Sequence, residues 1–367
     1  MNGVDVLHVQ KVAGISGSEA HLLSLLPQLR ERGIDARFLM LHEDEPGAWQ
    51  FADALTGAGV PLDSIRIAGD IDPIVLGRLI RYLAGRRPTV LHTHLVHADV
   101  YGLLAGSAAR IPVLASTKHG FNEFRERRGF GLADRTVARL ADLHIAISHG
   151  LAEYLEETEG FDADSFRVVH YGIDASSPEA GPATDPDHMI CVGRLIPIKG
   201  HIVLFRALAI ARRERPGLRV TLAGRGPLEP ALRAIAREYG IADMVHFAGQ
   251  VSPVQPAMES ASVVLVPSLG EGFGMVALEA MERSRPVIAA AIGGLAEVVE
   301  DGVTGLLVPP SQPEPLAEAI VGLARDPARA AAMGAAGRLR AVERFTLQEC
   351  TRRTVALYEE ALGSASR

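Results

Sequence analysis

The sequence predicts an α/β protein made of two Rossmann-like, doubly wound domains. Short apolar runs alternate with amphipathic helical stretches along the chain, the pattern of parallel strands joined by crossover helices. That alternation breaks once, after residue 173, at DASSPEAGPATDPDH, which is rich in Pro, Ala, Asp and Ser and poor in large apolar residues. The chain has 367 residues, more than one hydrophobic core usually organises, so two full cores are expected.

Taken in order, the strands expected in the first half are Val4 to Val9, Ala36 to Leu41, Val90 to His92, Val113 to Ser116, Leu143 to Ile147 and Arg167 to His170. After the break come Met189 to Val192, Arg219 to Ala223, Val245 to Ala248, Val263 to Val266, Val287 to Ala290 and Gly305 to Val308. Both halves open with a strand, a glycine-containing loop and an amphipathic helix. Val355, Tyr358 and Leu362 fall at helical spacing in the last stretch. The expected division is a first domain over 1–173, a linker over 174–188, a second domain over 189–345 and a helix over 346–367 packing back on the domains. Ligands of such sheets lie beyond the C-terminal strand ends, so a central cleft faced by the two domains is the expected site.

Composition excludes several classes. A formal net charge of -7 argues against nucleic-acid partners. No apolar run reaches the length of a bilayer span, and MNGVDVLHV lacks a signal-peptide pattern. Two cysteines far apart in sequence fit a reducing compartment, so a cytoplasmic protein is expected, soluble or on the inner face of the membrane.

The strongest local signal is VVLVPSLGEGFGMVALEAMERSRPVIAA, residues 263–290. A buried strand ends at Pro267, a glycine-rich loop through Phe273 follows, and a helix starts near Gly274. The amides of Gly274, Met275 and Val276 would then point outward at a helix N-terminus, where an anion is favoured. Glu271 and Glu279 flank that start, and each carboxylate can accept from a pair of neighbouring hydroxyls. A nucleotide diphosphate carrying a sugar matches this layout.

The arrangement P-S-x-x-E-G-F-G-x-x-x-L-E-A resembles the signature of family 4 of the nucleotide-sugar glycosyltransferases, which have the GT-B fold and retain anomeric configuration. CVGRLIPIKG, residues 191–200, is similar to that family's V-G-R-L-x-x-x-K-G motif, which implies that Arg194 and Lys199 neutralise the donor pyrophosphate without a metal. LAGRGP, FAGQV and GGLAE add weaker matches, and the resemblance puts Gly249 beside the base. By the same resemblance Glu271 positions the sugar, Glu279 meets the ribose, and the donor is a UDP-sugar or GDP-sugar used as cosubstrate, with no cofactor.

In the first half, Gly14-Ile-Ser-Gly-Ser-Glu19 resembles the family's Gly-Gly-x-Glu loop, with Ser16 in place of the first glycine and Gly17 matching the second. Thr117-Lys-His-Gly120 resembles the T-x-H-G motif, which implies that His119 lies near the transferred sugar, its imidazole bonding a sugar hydroxyl or its carbonyl facing developing positive charge. His92, His94 and His97 form H-T-H-x-x-H; spacing alone does not make a zinc site, and the resemblance makes His94 an acceptor-side residue. The acceptor is expected to be a glycan, a lipid-linked molecule or a small molecule.

Phe121 to Leu140 interleaves arginines with phenylalanines and suits peripheral contact with anionic lipid, although a solvated helix with internal ion pairs explains it equally. The competing functions are a nucleotide-sugar epimerase or hydrolase of similar build, and a noncatalytic nucleotide-sugar sensor. His119, Glu271, Arg194 and Lys199 together speak against the sensor.

Overall fold

The computed structural model describes residues 4–121, 134–175, 180–181 and 183–365. The chain divides into two compact units, Met1–Gly172 with Leu347–Arg367, and Ile173–Thr346. No helix among the described residues is long and apolar enough to cross a membrane.

The first unit is built on a parallel seven-stranded sheet in the order β3-β2-β1-β4-β5-β6-β7. Its strands are β1 (Asp5–Lys11), β2 (Asp35–His42), β3 (Leu62–Arg66), β4 (Val90–His94), β5 (Val113–Lys118), β6 (Leu143–Ala146) and β7 (Phe166–Val168). Alternation sends successive residues to opposite faces. Val6 packs under the helices Gly17–Glu31, Pro46–Gly57 and Leu347–Ala365, while Leu7 and Val9 pack toward Pro73–Arg86 on the other face.

The second unit carries a six-stranded parallel sheet in the order β10-β9-β8-β11-β12-β13. Its strands are β8 (His188–Val192), β9 (Arg219–Ala223), β10 (Val245–Gly249), β11 (Val263–Val266), β12 (Val287–Ala290) and β13 (Gly305–Val308). Its core gathers Met189, Leu222, Val263 and Ile288 with the helices His201–Ala211 and Pro313–Arg325.

Each strand expected from the sequence is present to within two residues at its ends. One strand, β3, was not anticipated. It lies at the sheet edge, pairs only with β2, and buries only Ile65 of LDSIR, so it lacks the apolar run that reveals its neighbours. In each unit the strand order reverses at one place, between β1 and β4 in the first and between β8 and β11 in the second. Those two places are where doubly wound sheets hold ligands.

Candidate active site

In the second unit, β8 runs into Arg194 and Lys199, and its neighbour β11 runs into Ser268 and Glu271. Both loops therefore leave the sheet at its reversal point. The Lys199 ammonium lies 2.6 Å from Glu271 Oε2, and the Ser268 hydroxyl donates to the same oxygen at 3.2 Å. Both side chains are partly buried, so the pair is shielded more than a surface ion pair. Arg194 is exposed.

Close backbone contacts lock these loops together. A Cβ on Gly200, which has φ +68, would stand 1.9 Å from the Pro267 carbonyl oxygen, and one on Gly224 would stand 1.8 Å from that of Gly193. Only glycine permits such approaches. The Gly294 amide donates to the Glu271 carbonyl at 3.2 Å, tying the GGLAE turn to the same loop, and the Gly224 amide donates to Gly249 at 2.7 Å. Motifs dispersed over about a hundred residues of sequence thus converge on one surface.

The helix Met275–Glu282 starts from Gly274, whose backbone is left-handed at φ 104. Met275 and Val276 are partly exposed at its first turn. Glu279 is mostly buried; burial, with Glu282 nearby, raises its carboxyl to about 7. Phe273, expected among the donor-binding residues, has a side chain that is 2% exposed and meets Phe345 edge-on at 5.8 Å between centroids, so the ring anchors the loop in the core.

In the first unit, the histidines gather at the corresponding reversal point. His8 on β1 stands opposite His92 on β4, and Gln10 opposite His94. His8 Nδ1 lies 2.9 Å from His94 Nε2, and His94 Nδ1 lies 2.8 Å from His119 Nε2. His119 Nδ1 in turn pairs with the Tyr171 hydroxyl, and the Tyr171 ring stacks on His21 at 3.9 Å. His92 bonds the Tyr358 hydroxyl at 2.6 Å and the Thr117 hydroxyl at 2.7 Å.

Two of the expected site residues are engaged within the unit. His94 is 1% exposed with both ring nitrogens engaged. His119 is partly exposed, but both its ring nitrogens are also engaged, so its imidazole meets a sugar hydroxyl only by giving up an internal bond. Burial lowers His8 and His94 well below the ordinary histidine value, and His21 and His92 to about 3. Burial therefore favours the neutral form of these four rings.

His97 does not join His92 and His94; its Nε2 lies 2.9 Å from Asp70, which also holds Lys11 at 3.0 Å. His8 takes the third place instead. A histidine inside the apolar run Val6 to Val9 was the available signal for it.

Gly17 is exposed as the first residue of its helix, and a Cβ there would meet nothing within 4 Å. Glu19, three residues after Ser16, accepts from the Ser16 amide at 3.0 Å and thereby caps the helix. The Ser16 hydroxyl donates to the same carboxylate at 2.5 Å, so the serine that departs from the Gly-Gly-x-Glu pattern has a local structural use.

Within Thr117 to Gly120, Lys118 is fully buried. Its ammonium lies 2.7 Å from Asp99 and 3.1 Å from Asp134, and Thr93 and Ser116 also donate to Asp99. Burial pushes the Asp99 carboxyl up, but Lys118 and the hydroxyl donors outweigh it and leave the pKa below the ordinary value. The segment suggested for lipid contact, Phe121 to Leu140, lies outside the described residues from 122 to 133.

Comparison with known proteins agrees with this geometry. Residues 16–172 match the family described as "Glycosyl transferase 4-like domain", and residues 186–326 match "Glycosyl transferases group 1". The chain is 32% identical over 309 residues to a D-inositol 3-phosphate glycosyltransferase of Kribbella flavida, covering 74% of this chain and 71% of the relative. It is 30% identical over 305 residues to an MMP alpha-(1->4)-mannosyltransferase of Mycolicibacterium hassiacum, covering 78% and 74%. Among solved structures, Anabaena Alr3699/HepE in complex with UDP and glucose superposes with a TM-score of 0.84 at 22% identity, over 97% of this chain and 100% of that one. The sucrose-phosphate synthase of Thermosynechococcus elongatus gives 0.79 at 22% identity, over 98% and 99%. With both units matched and relatives above 30% identity across most of its length, the chain belongs to family 4 of the nucleotide-sugar glycosyltransferases and has the GT-B fold.

Proposed function

We propose that the enzyme transfers a sugar from a UDP-sugar, with retention of anomeric configuration, to a hydroxyl of a glycan, a lipid-linked molecule or a small molecule. The observation that carries this reading is the Lys199–Glu271 pair, a cation and a carboxylate joined at a sheet reversal point in the loop that leads into the helix starting from Gly274. UDP is preferred over GDP because HepE, of the same fold, was crystallised with UDP and with UDP-glucose.

In this reading the donor diphosphate lies against the amides of Gly274, Met275 and Val276, with Arg194 and Lys199 balancing its charge. Charge on the leaving diphosphate grows in the transition state, so fixed cations accelerate departure without a metal. Glu271 takes sugar hydroxyls once Lys199 turns to phosphate, Glu279 takes the ribose diol, and Gly249 borders the base. Gly17 lets the first loop approach phosphate.

Retention follows from front-face substitution through an oxocarbenium-like ion pair, in which the leaving phosphate accepts the acceptor proton. His119 contributes its main-chain carbonyl to the positive charge at the transferred sugar, because its ring is already committed. The inositol-phosphate acceptor named for the Kribbella relative is one member of the small-molecule class. The two buried free thiols, Cys191 and Cys350, support a reducing compartment.

A thermal-shift panel of uridine, guanosine and adenosine diphosphates tests the donor assignment. Selective stabilisation by UDP is expected. Selective stabilisation by GDP would overturn the base, and no response to any of them would overturn the site.

A further inference from the structure

We propose that His94, and through it His8, are positioning residues for His119, holding its ring in one orientation and one tautomer so that the Thr117–Gly120 turn presents its main chain to the transferred sugar. The proposal rests on the reading of His119 given above.

The chain runs His8 Nδ1 to His94 Nε2 at 2.9 Å, His94 Nδ1 to His119 Nε2 at 2.8 Å, and His119 Nδ1 to Tyr171 Oη. His8 and His94 are 0% and 1% exposed, and their rings are nearly parallel, 6° apart. His92 walls the His94 ring at 4.3 Å between centroids and is itself held by Tyr358 and Thr117. No ring in this stack can turn without breaking a buried hydrogen bond, which leaves an unsatisfied polar atom.

Each N···N bond carries one proton, so the tautomers are coupled along the chain. If His119 donates from Nδ1 to Tyr171, its Nε2 must accept from His94 Nδ1, and His94 Nε2 must then accept from His8 Nδ1. The opposite assignment reverses every bond and leaves His8 with a proton on Nε2. That atom is buried without a hydrogen-bond partner. The first assignment leaves the buried Tyr171 hydroxyl to donate elsewhere. In either direction all three histidines carry the proton on the same ring nitrogen, so fixing one tautomer fixes the others.

A metal at the same cluster is disfavoured. Ligand atoms of His8, His92 and His94 lie within 4.8 Å of one another, but five of their six ring nitrogens are already hydrogen-bonded inside the protein. Only His8 Nε2 is open, and one nitrogen does not make a site.

The test uses the full chain labelled with 15N-histidine, together with steady-state kinetics on His94→Phe, His94→Asn and His119→Ala. The expected spectrum shows His8, His94 and His119 as neutral rings that share one tautomer, with scalar couplings across both N–H···N bonds. His94→Phe should lower kcat by about tenfold or more while leaving the donor KM within about twofold. His94→Asn, with an amide near the place of Nδ1, should recover most of that loss. Different tautomers among the three histidines, or no coupling, overturns the chain even if a variant fails to fold. Normal kcat in His94→Phe beside a crippled His119→Ala overturns the positioning role alone. Full turnover in His119→Ala, which keeps the main-chain carbonyl, overturns the positioning role of the rings, whatever the couplings show, and leaves the reading of the carbonyl in place.

Discussion

Lys199 and Glu271, separated by 72 residues in sequence, form a 2.6 Å ion pair at the point where the second sheet reverses its strand order. On the proposed roles, the cation for phosphate and the carboxylate for sugar are paired with each other, so donor binding is expected to exchange this pair for two new ones.

Glu271→Gln tests that exchange. Removing the carboxylate releases Lys199 from its partner, so UDP alone should bind at least as tightly as to the native enzyme. Turnover of the nucleotide sugar should still fall by about a hundredfold, since a carboxylate bond to the sugar is lost in the transition state. Calorimetry for UDP and initial rates for the sugar donor give the two readings. Weakened UDP binding with normal turnover would place Glu271 with the phosphates instead.

Glu279 predicts a pH dependence. Burial raises its carboxyl to about 7, whereas a ribose diol donates best to the ionised form. Between the ordinary carboxylate range and about 7 the folded protein holds this proton and the unfolded chain does not. This contribution to folding stability therefore declines as pH rises through that window. Donor binding runs the opposite way, tightening as pH rises through about 7. A nucleotide sugar titrated from about pH 6 to about pH 8 should show the gain, and Glu279→Gln should remove it.

The buried Lys118 network predicts a stability effect separate from chemistry. Lys118→Met leaves Asp99 and Asp134 buried without their cation, which should cost about 3 kcal/mol or more in denaturant unfolding. Asp99 titrates below its ordinary value, so its stabilisation is present above that ordinary value and is lost as pH falls through the lowered one. A cost under about 1 kcal/mol would mean that hydration compensates.

Gly200→Ala should be disruptive. Its Cβ would meet the Pro267 carbonyl oxygen at 1.9 Å in a left-handed backbone, so the two donor loops must separate. A loss of about 2 kcal/mol or more in stability is expected, with nucleotide affinity falling further. Normal nucleotide affinity would mean that the loops bind independently.

The second unit was the more legible half. Glycine is the only residue that permits the contacts at Gly200 and Gly224, and cations and carboxylates bracketing a helix start restrict the chemistry, so VGRLIPIKG and PSLGEGFG carry their purpose in local sequence. The Lys199–Glu271 pairing itself was not visible, because it depends on how two loops emerge from adjacent strands. The histidines were harder still. His94 and His119 stand out in sequence, but what they touch depends on the register of β1 against β4, which places His8 opposite His92. Edge strand β3, with one buried residue, left almost no apolar trace.

The most direct test of the donor grip is isothermal titration of UDP into the native enzyme and into Lys199→Ala. The grip described here predicts binding to the native protein and a loss of about tenfold or more in affinity for the variant, as expected when a charge-assisted phosphate contact is removed. Equal UDP affinity in the two proteins would contradict it.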